Sequence, residues 1–550
     1  MSVLLVTGGA ALERDVFARE GRACWSAALP VALEKHGMLA ETAGPEALDD
    51  PAVLAAHAAV LVGRQLPGTW TPARVAAARA APGGVVVEGP LPAVVAEALG
   101  VRGVGTAAPE GSIQVTDGAL RAAGLPFGAT PGAHLSTGTS RPVALDDDQR
   151  WTALDVPISP AAAAAWRAPG WEAQRLDVVD PATVVLADWI PHDDDRDRRA
   201  AIVSRDGLVG LSVGLLSFLG QSHTTAPYAE AEHRGWPRTD GAEALLLGLI
   251  DLLHTRAGAV RARLRPWPDG TTWALHVRHD VDRTPKPAAV ADTVARHAAA
   301  GTRATWYWRA RHAGSAAGDR ALRTVADAPG HEVALHTERL WSGAERERAA
   351  IEAVLGGPVA GSSAHGDPTC FRFQGAPNLL WAARHDLVYT ELIDHGHVHP
   401  HRTALLRDDG TVALSPLLCL PHHASFERSM AEGDTLPEEV RAAADRIAAA
   451  GGLLQVLNHP DLNQDALFGL LASLPTEGRA DLTALEAARW WDDTHTGGNV
   501  HLVPGPGGTV HVTADRPVDG LRIEVRTPDG ELRERAVSVG PQQSVDLTSR

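Results

Sequence analysis

The chain has 550 residues, 45% of them hydrophobic, and 67 acidic against 50 basic side chains give a formal net charge of −17. That length suits three or four domains at roughly 100–200 residues each, and the acidic balance lacks the basic stripe of a nucleic-acid binder or the cationic face that docks on an anionic membrane. Three widely spaced cysteines, Cys24, Cys370 and Cys419, form no CxxC pair, so neither a disulfide framework nor a cysteine-based zinc knuckle is expected.

The N-terminus, MSVLLVTGGA, has no basic leader and its apolar run stops at Gly8-Gly9, so it reads as a buried strand. No apolar run approaches the roughly 18–20 residues of a membrane span. A soluble, cytoplasmic protein is the expectation. Strands at Ser2–Thr7, Ala59–Val62 and Val85–Glu88 alternate with helices at Trp25–His36, Thr71–Ala80 and Pro92–Leu99. Such alternation predicts a parallel sheet covered on both faces. Residues 1–131 therefore read as an α/β domain similar in pattern to flavodoxin-like or amidotransferase-like layers. Gly8-Gly9 is too short for a phosphate-binding fingerprint, and Cys24 lacks a nucleophile-elbow context. Lysine occurs only at Lys35 and Lys286, which reads as a compositional bias toward arginine.

Residues 132–268 read as a mixed α+β region, separate from the first domain or continuous with it. It holds strand-like runs at Thr183–Trp189, Ala201–Ser204 and Leu208–Val213, an acidic loop at His192–Asp197 and a helix at Ala242–Thr255. The prolines and the Asp-Gly of Arg265–Gly270 mark the main boundary. Residues 269–498 return to regular alternation. Strands are expected at Trp273–Arg278, Ala304–Trp308, Glu332–Leu335, Val359–Ala364, Leu387–Leu392, Val412–Pro416 and Leu453–Leu457. Helices are expected at Pro287–Ala300, Ala344–Leu355, Ala376–His385 and Pro437–Ala450. This span is about the size of a β/α barrel. Residues 499–550, rich in Gly and Pro with short alternating runs, read as a small β module.

Catalytic groups in parallel α/β folds gather at the C-terminal strand ends. Four of these strands lead there into an acid or an imidazole: His279-Asp280-Val281-Asp282, His336, His365 and Asn458-His459. In extended chain, residues i and i+2 face the same way, so Asp280 and Asp282 are expected side by side. Two acids in a partly buried mouth repel unless a cation sits between them. One acid with two imidazoles is a sound three-ligand set for a zinc-type ion with an open position, and the second acid is then placed to take a proton from water.

Arg278-His279-Asp280-Val281-Asp282 resembles the first motif of the polysaccharide deacetylase superfamily (carbohydrate esterase family 4 and relatives), in the variant that spaces its acids by one residue. Gly330 to Thr337, Phe371-Arg372-Phe373-Gln374-Gly375 and Leu457-Asn458-His459-Pro460 resemble later motifs, and the match spans about Thr271 to Trp491. The resemblance implies a distorted (β/α) barrel, with Asp280 as general base, Asp282 and His336 as metal ligands, Arg372 orienting the base and His459 protonating the leaving amine. The family's second histidine, four residues after His336, is Leu340 here. His365, at the end of the next strand, is taken as the third ligand.

The expected activity is removal of an N-acetyl or related acyl group from a sugar-containing or other small substrate by metal-activated water. The ion is expected to be Zn²⁺, with Co²⁺, Ni²⁺ or Mn²⁺ as other candidates. Hydrolysis of another non-peptide C–N bond, in a ureide or cyclic amide, stands beside it, as does a non-catalytic carbohydrate-binding barrel. Small-molecule or oligosaccharide substrates are the expected partners. The run Asp394-His395-Gly396-His397-Val398-His399-Pro400-His401 is read as a solvated loop, against a second metal site or substrate rim. Of Trp306, Trp308, Trp341 and Trp381, Trp341 is the candidate for sugar stacking and the rest read as core.

Overall fold

The computed structural model describes residues 2–547 except 21–24, 39, 66–67, 107–110, 117–119, 121–133, 137–173, 192–197, 224–238, 339–342, 366–380, 394–396, 408–409, 423–443, 446, 463, 497, 505–508 and 542. The expectations placed on Cys24, Cys370, His192–Asp197, Leu340, Trp341, Arg372, Asp394 and His395 lie outside the described residues.

A nine-stranded sheet organises the N-terminal half. Its parallel part runs Ala40–Ala43, Ser2–Val6, His57–Val62, Val85–Val87 and Leu208–Leu211. Alternate residues go to opposite faces, as the period-two pleat requires. Val3, Leu5, Ala59, Leu61 and Val86 pack with the helix Thr239–Arg256 in one core. Leu4, Val6, Val60, Val62, Val85 and Val87 pack with Val75 and Val95 from the helices Pro72–Ala80 and Ala93–Leu99 in another. The sheet then continues with antiparallel pairings through Arg199–Arg205, Val184–Pro191, Gly111–Val115 and His134–Ser136. The doubly covered parallel layer therefore extends into a mixed sheet that uses residues on both sides of position 132.

The second large sheet has the order His401–Leu406, Val412–His422, Tyr389–Ile393, Gly361–Ala364, His331–Thr337, Ala304–Trp308, Trp273–Val281 and Leu453–Asn458. Its pairings are parallel except at the first strand of that order, which is antiparallel to its neighbour. The path has two ends. Leu453 N–H donates to the carbonyl of Val398 at 2.7 Å, three residues before the first strand, but no ladder joins the end strands among the described residues. The expected barrel closure goes no further than that.

Alternation again sorts the faces. Leu275, Val277, Val281, Trp306, Trp308, Val333 and Leu335 point outward against Val290, Leu322, Val325 and Ile351 from the surrounding helices. Trp306, Trp308 and Trp381 are core residues. One of those helices, Ala316–Ala326, is absent from the sequence expectation; it starts at Ser315, whose hydroxyl accepts from Gly318 N–H. The inward residues Ala274, Tyr307, Ala334, Tyr389 and Leu453 pack on Ala484, Ala487, Ala488 and Trp491, so the helix Ala484–Trp491 plugs the inner face. Gly361 opens room for this packing: a Cβ there would lie 2.0 Å from Cζ of Tyr389.

The C-terminal module consists of two three-stranded sheets sharing one core. One of its strands comes from far upstream. Arg261–Leu264 pairs with Val518–Arg526 and brings Arg261 and Arg263 onto the buried Glu524 at 2.7 and 2.8 Å. The proline boundary at Arg265–Gly270 thus falls after a strand of the C-terminal module.

Candidate active site

The strand Trp273–Val281 is fully buried along its length and runs three residues past the sequence expectation. Its inward positions change from apolar to charged: Ala274, His276, Arg278 and Asp280, with Asp282 just beyond the last strand residue. His279 points the other way. It contacts His297 at 2.8 Å between ring Nε2 atoms and stacks near Trp306, so it belongs to the outer core.

Arg278 holds Asp280. Its Nε donates to Oδ1 at 2.6 Å and Nη2 to Oδ2 at 2.7 Å, a bidentate clamp from two residues upstream on the same face. The third arm, Nη1, donates to Glu391 Oε2 at 2.7 Å. Glu391 also contacts His276 at 2.9 Å and accepts from Tyr307 and Gln455. The guanidinium lies 4.6 Å from the Tyr307 ring centroid. Arg278, Asp280, Glu391, His276, Tyr307 and Gln455 are thus tied beneath the mouth by charge-assisted hydrogen bonds in a dry setting, where such networks fix geometry. Burial pushes the Asp280 carboxyl up, but the Arg278 guanidinium, His336 and His459 outweigh it and hold the group below its ordinary value.

Asp282 sits among three imidazoles. Its Oδ1 is 3.2 Å from His336 Nε2, and its Oδ2 is 3.2 Å from His365 Nε2 and 3.1 Å from His459 Nε2. Its backbone carbonyl accepts from Arg309 and Arg311, which anchor the turn after the strand. Burial opposes ionisation, yet the surrounding imidazoles drive this carboxyl far below the ordinary range. Asp280 and Asp282 are therefore both carboxylates at neutral pH, and they differ in what saturates them. Asp280 is clamped on both oxygens, whereas Asp282 Oδ1 is buried with no hydrogen-bond partner.

The tautomers complete the picture. His336 Nδ1 contacts the Ser363 carbonyl at 3.2 Å, so the neutral ring carries its proton on Nδ1 and turns the Nε2 lone pair to the mouth. That bare nitrogen faces Asp282 Oδ1 at 3.2 Å and Asp280 Oδ2 at 3.4 Å. A lone pair facing two carboxylates repels unless a proton or a cation lies between them. Arg309 Nη1 donates to His365 Nε2 at 2.9 Å, so this nitrogen is unprotonated too. Asp282, His336 and His365 each offer a ligand atom within 4.8 Å of the others. Metal bonds of about 2.0–2.1 Å in a tetrahedron put neighbouring ligand atoms roughly 3.3 Å apart, against 3.2 Å from His336 Nε2 to Asp282 Oδ1 and from His365 Nε2 to Asp282 Oδ2. One carboxylate and two imidazoles, with the Ser363 carbonyl as the outer partner of His336 Nδ1, make a donor set that fits a zinc-type ion.

Asp280, Asp282, His336, His365 and His459 thus share one mouth. Sequence reasoning missed Arg278, Glu391, Tyr307, Arg309 and Glu338. Arg278 was legible in principle, because it precedes the two acids at the same period of two. Arg309 reaches Glu338, His365 and Asp282 only through pairing of neighbouring strands.

No family model matches the chain. No curated protein matches it either. Solved structures that resemble part of it include polysaccharide deacetylases and a family 4 acetyl xylan esterase. One from Mycobacterium smegmatis is 20% identical, covering 41% of this chain and 91% of its own, at a TM-score of 0.31. One from Bacillus cereus is 15% identical, covering 38% and 91%, at 0.22. A family 4 acetyl xylan esterase from Clostridium thermocellum, in complex with a cobalt ion, is 12% identical, covering 40% and 91%, at 0.23. At TM-scores this low, function has to be argued from the site itself.

Proposed function

We propose that the chain is a metal-dependent hydrolase of an acylated amine, of the N-acetyl class, with the ion held by Asp282, His336 and His365. The observation that carries this reading is the bare His336 Nε2 facing two carboxylates beside an unpartnered Asp282 oxygen. When bound, such an ion lowers the pKa of water from 15.7 to about 7 and polarises a carbonyl. Asp280, ionised and locked by Arg278, takes the proton from the attacking water. His459 Nε2, 3.1 Å from Asp282 Oδ2, delivers a proton to the nitrogen as the C–N bond breaks. The products are a carboxylate and a free amine.

Convergence of an oriented base, a ligand set and a proton donor favours catalysis over a non-catalytic binding barrel, which needs none of the three. The test is metal content of the purified protein together with acetate release from a panel of N-acetylated sugars and, in parallel, ring opening of a ureide and a cyclic amide. One ion per chain with acetate release supports the reading. A metal-replete protein that opens only the ureide or cyclic amide moves the substrate class, and a protein that takes up no ion at the mouth overturns the proposal.

A further inference from the structure

The histidine run expected as a solvated loop is buried. His397, His399 and His401 are each 3% exposed and meet the N-terminal half at a seam between the two large sheets. Facing them are Lys35 and His36, which end the helix Leu29–Glu34, His223, which follows the helix Leu215–Ser222, and Glu243 in the helix Thr239–Arg256. Lys35, His223 and Glu243 are at most 1% exposed.

We propose that His223, Glu243 and His397 form a second zinc-type cation site, shared by the two halves, in which the Lys35 ammonium is the resident cation. Three observations carry this. His223 Nδ1 contacts the Leu219 carbonyl at 2.7 Å, and its Nε2 is turned to Glu243 Oε1 at 3.4 Å. His397 Nδ1 accepts from Lys35 Nζ at 2.9 Å and lies 3.7 Å from the same oxygen. The three donor atoms lie within 4.8 Å of one another, again near the tetrahedral edge of roughly 3.3 Å. Lys35 Nζ stands among them, 2.7 Å from Glu243 Oε1. The ammonium satisfies the carboxylate and one imidazole of the set at hydrogen-bond distances, 2.7 Å to Glu243 Oε1 and 2.9 Å to His397 Nδ1.

The surroundings hold donors in excess. Glu243 Oε2 pairs with His36 at 3.0 Å. His399, packed on Trp491, has neither ring nitrogen hydrogen-bonded. A divalent ion binds here when the Lys35 side chain gives up its place. Lys35 thus sets the affinity of the site and, as resident cation, ties the two halves without any metal.

The test uses the full chain with the mouth disabled by His336→Ala and follows Co²⁺ by equilibrium dialysis and by its visible d–d absorption. This experiment is independent of the hydrolase reading. Adding Lys35→Met should create a site for one Co²⁺ per chain with an intense tetrahedral band, about a hundredfold tighter than with Lys35 present, the upper end of what single groups around a site contribute. Glu243→Gln or His223→Ala on top should abolish it. If Lys35→Met does not fold alone, excess Co²⁺ should restore the folded chain, since the ion replaces the missing charge. A folded Lys35→Met protein that binds no Co²⁺, a band that survives His223→Ala, or an unfolded variant that Co²⁺ does not rescue would each overturn the proposal.

Discussion

The mouth of the second sheet and the seam between the two sheets are built from the same parts. Each has a histidine whose Nδ1 is turned to a backbone carbonyl, Ser363 for His336 and Leu219 for His223, and whose Nε2 faces a carboxylate within 3.4 Å. They differ in the source of positive charge. The seam contains its own cation in Lys35, buried and bonded to Glu243 and His397. At the mouth, Arg278 is spent on Asp280 and Glu391, and Arg309 donates to His365 while standing 4.0 Å from Asp282 Oδ1, which no hydrogen bond satisfies. Exposure differs as well: Asp282 and His365 are partly open, whereas Glu243 and His397 are closed off. A lysine that fills a donor set makes a structural joint. A donor set left short of charge and open to solvent makes a candidate reaction centre.

The sharpest way to break that contrast is at the mouth. Asp280→Asn should keep the metal and lower kcat by about 10²–10⁴, the usual worth of a general base. His336→Ala should lose the metal and activity together. Equal metal content and equal activity in the two variants would erase the assigned division of labour.

The next effect is at the seam. Glu243→Ala leaves the Lys35 ammonium buried without its carboxylate, which should cost about 3–5 kcal/mol in denaturant unfolding. The loss should be the same in chelator-treated protein. A variant as stable as the parent would show that the seam pair contributes nothing.

Arg278→Met should cost a similar or slightly smaller amount, since the buried carboxylates of Asp280 and Glu391 lose their shared partner. It should also reduce kcat with metal content unchanged. Retained kcat in a folded Arg278→Met protein would remove Arg278 from the machinery.

Acid should separate the regions more gently. The unfolded chain protonates its histidines below about 6.5, while burial keeps His397 at about 3 and lowers His36, His223, His399 and His401. The unfolded state therefore binds more protons in this window, and stability falls as pH drops from 6.5 toward 3, by up to about 1.4 kcal/mol per pH unit for each such group. Unfolding midpoints at pH 7.5, 6 and 5 should decline in the parent and decline less in His397→Gln. Parallel slopes would exclude the seam as the acid-sensitive element.

Much of the mouth was readable from local pattern. The spacing of Asp280 and Asp282 and the placing of His336, His365 and His459 at strand ends follow from the period-two pleat and from strand ends gathering at one edge of a parallel sheet. The seam was not readable, because solvation of a polar run depends on what packs over it. Residues 397–401 look hydrophilic, and their partners Lys35, His223 and Glu243 lie at least 154 positions away. A lysine that composition dismissed as one of two is the buried charge at the joint. The upstream origin of the Arg261–Leu264 strand was hidden for the same reason, since pairing across more than 250 residues leaves no local trace.

Sequence alone indicated the alternation of strands and helices over much of the chain and the acids and imidazoles delivered to one edge, because these depend on periods of two and 3.6 along a continuous chain. Tertiary structure decided which nitrogen of each histidine is bare, which carboxylate is saturated by arginine and which charged run is dry. Those properties depend on neighbours brought together through space, and desolvation and hydrogen-bond geometry act only once those neighbours are in place.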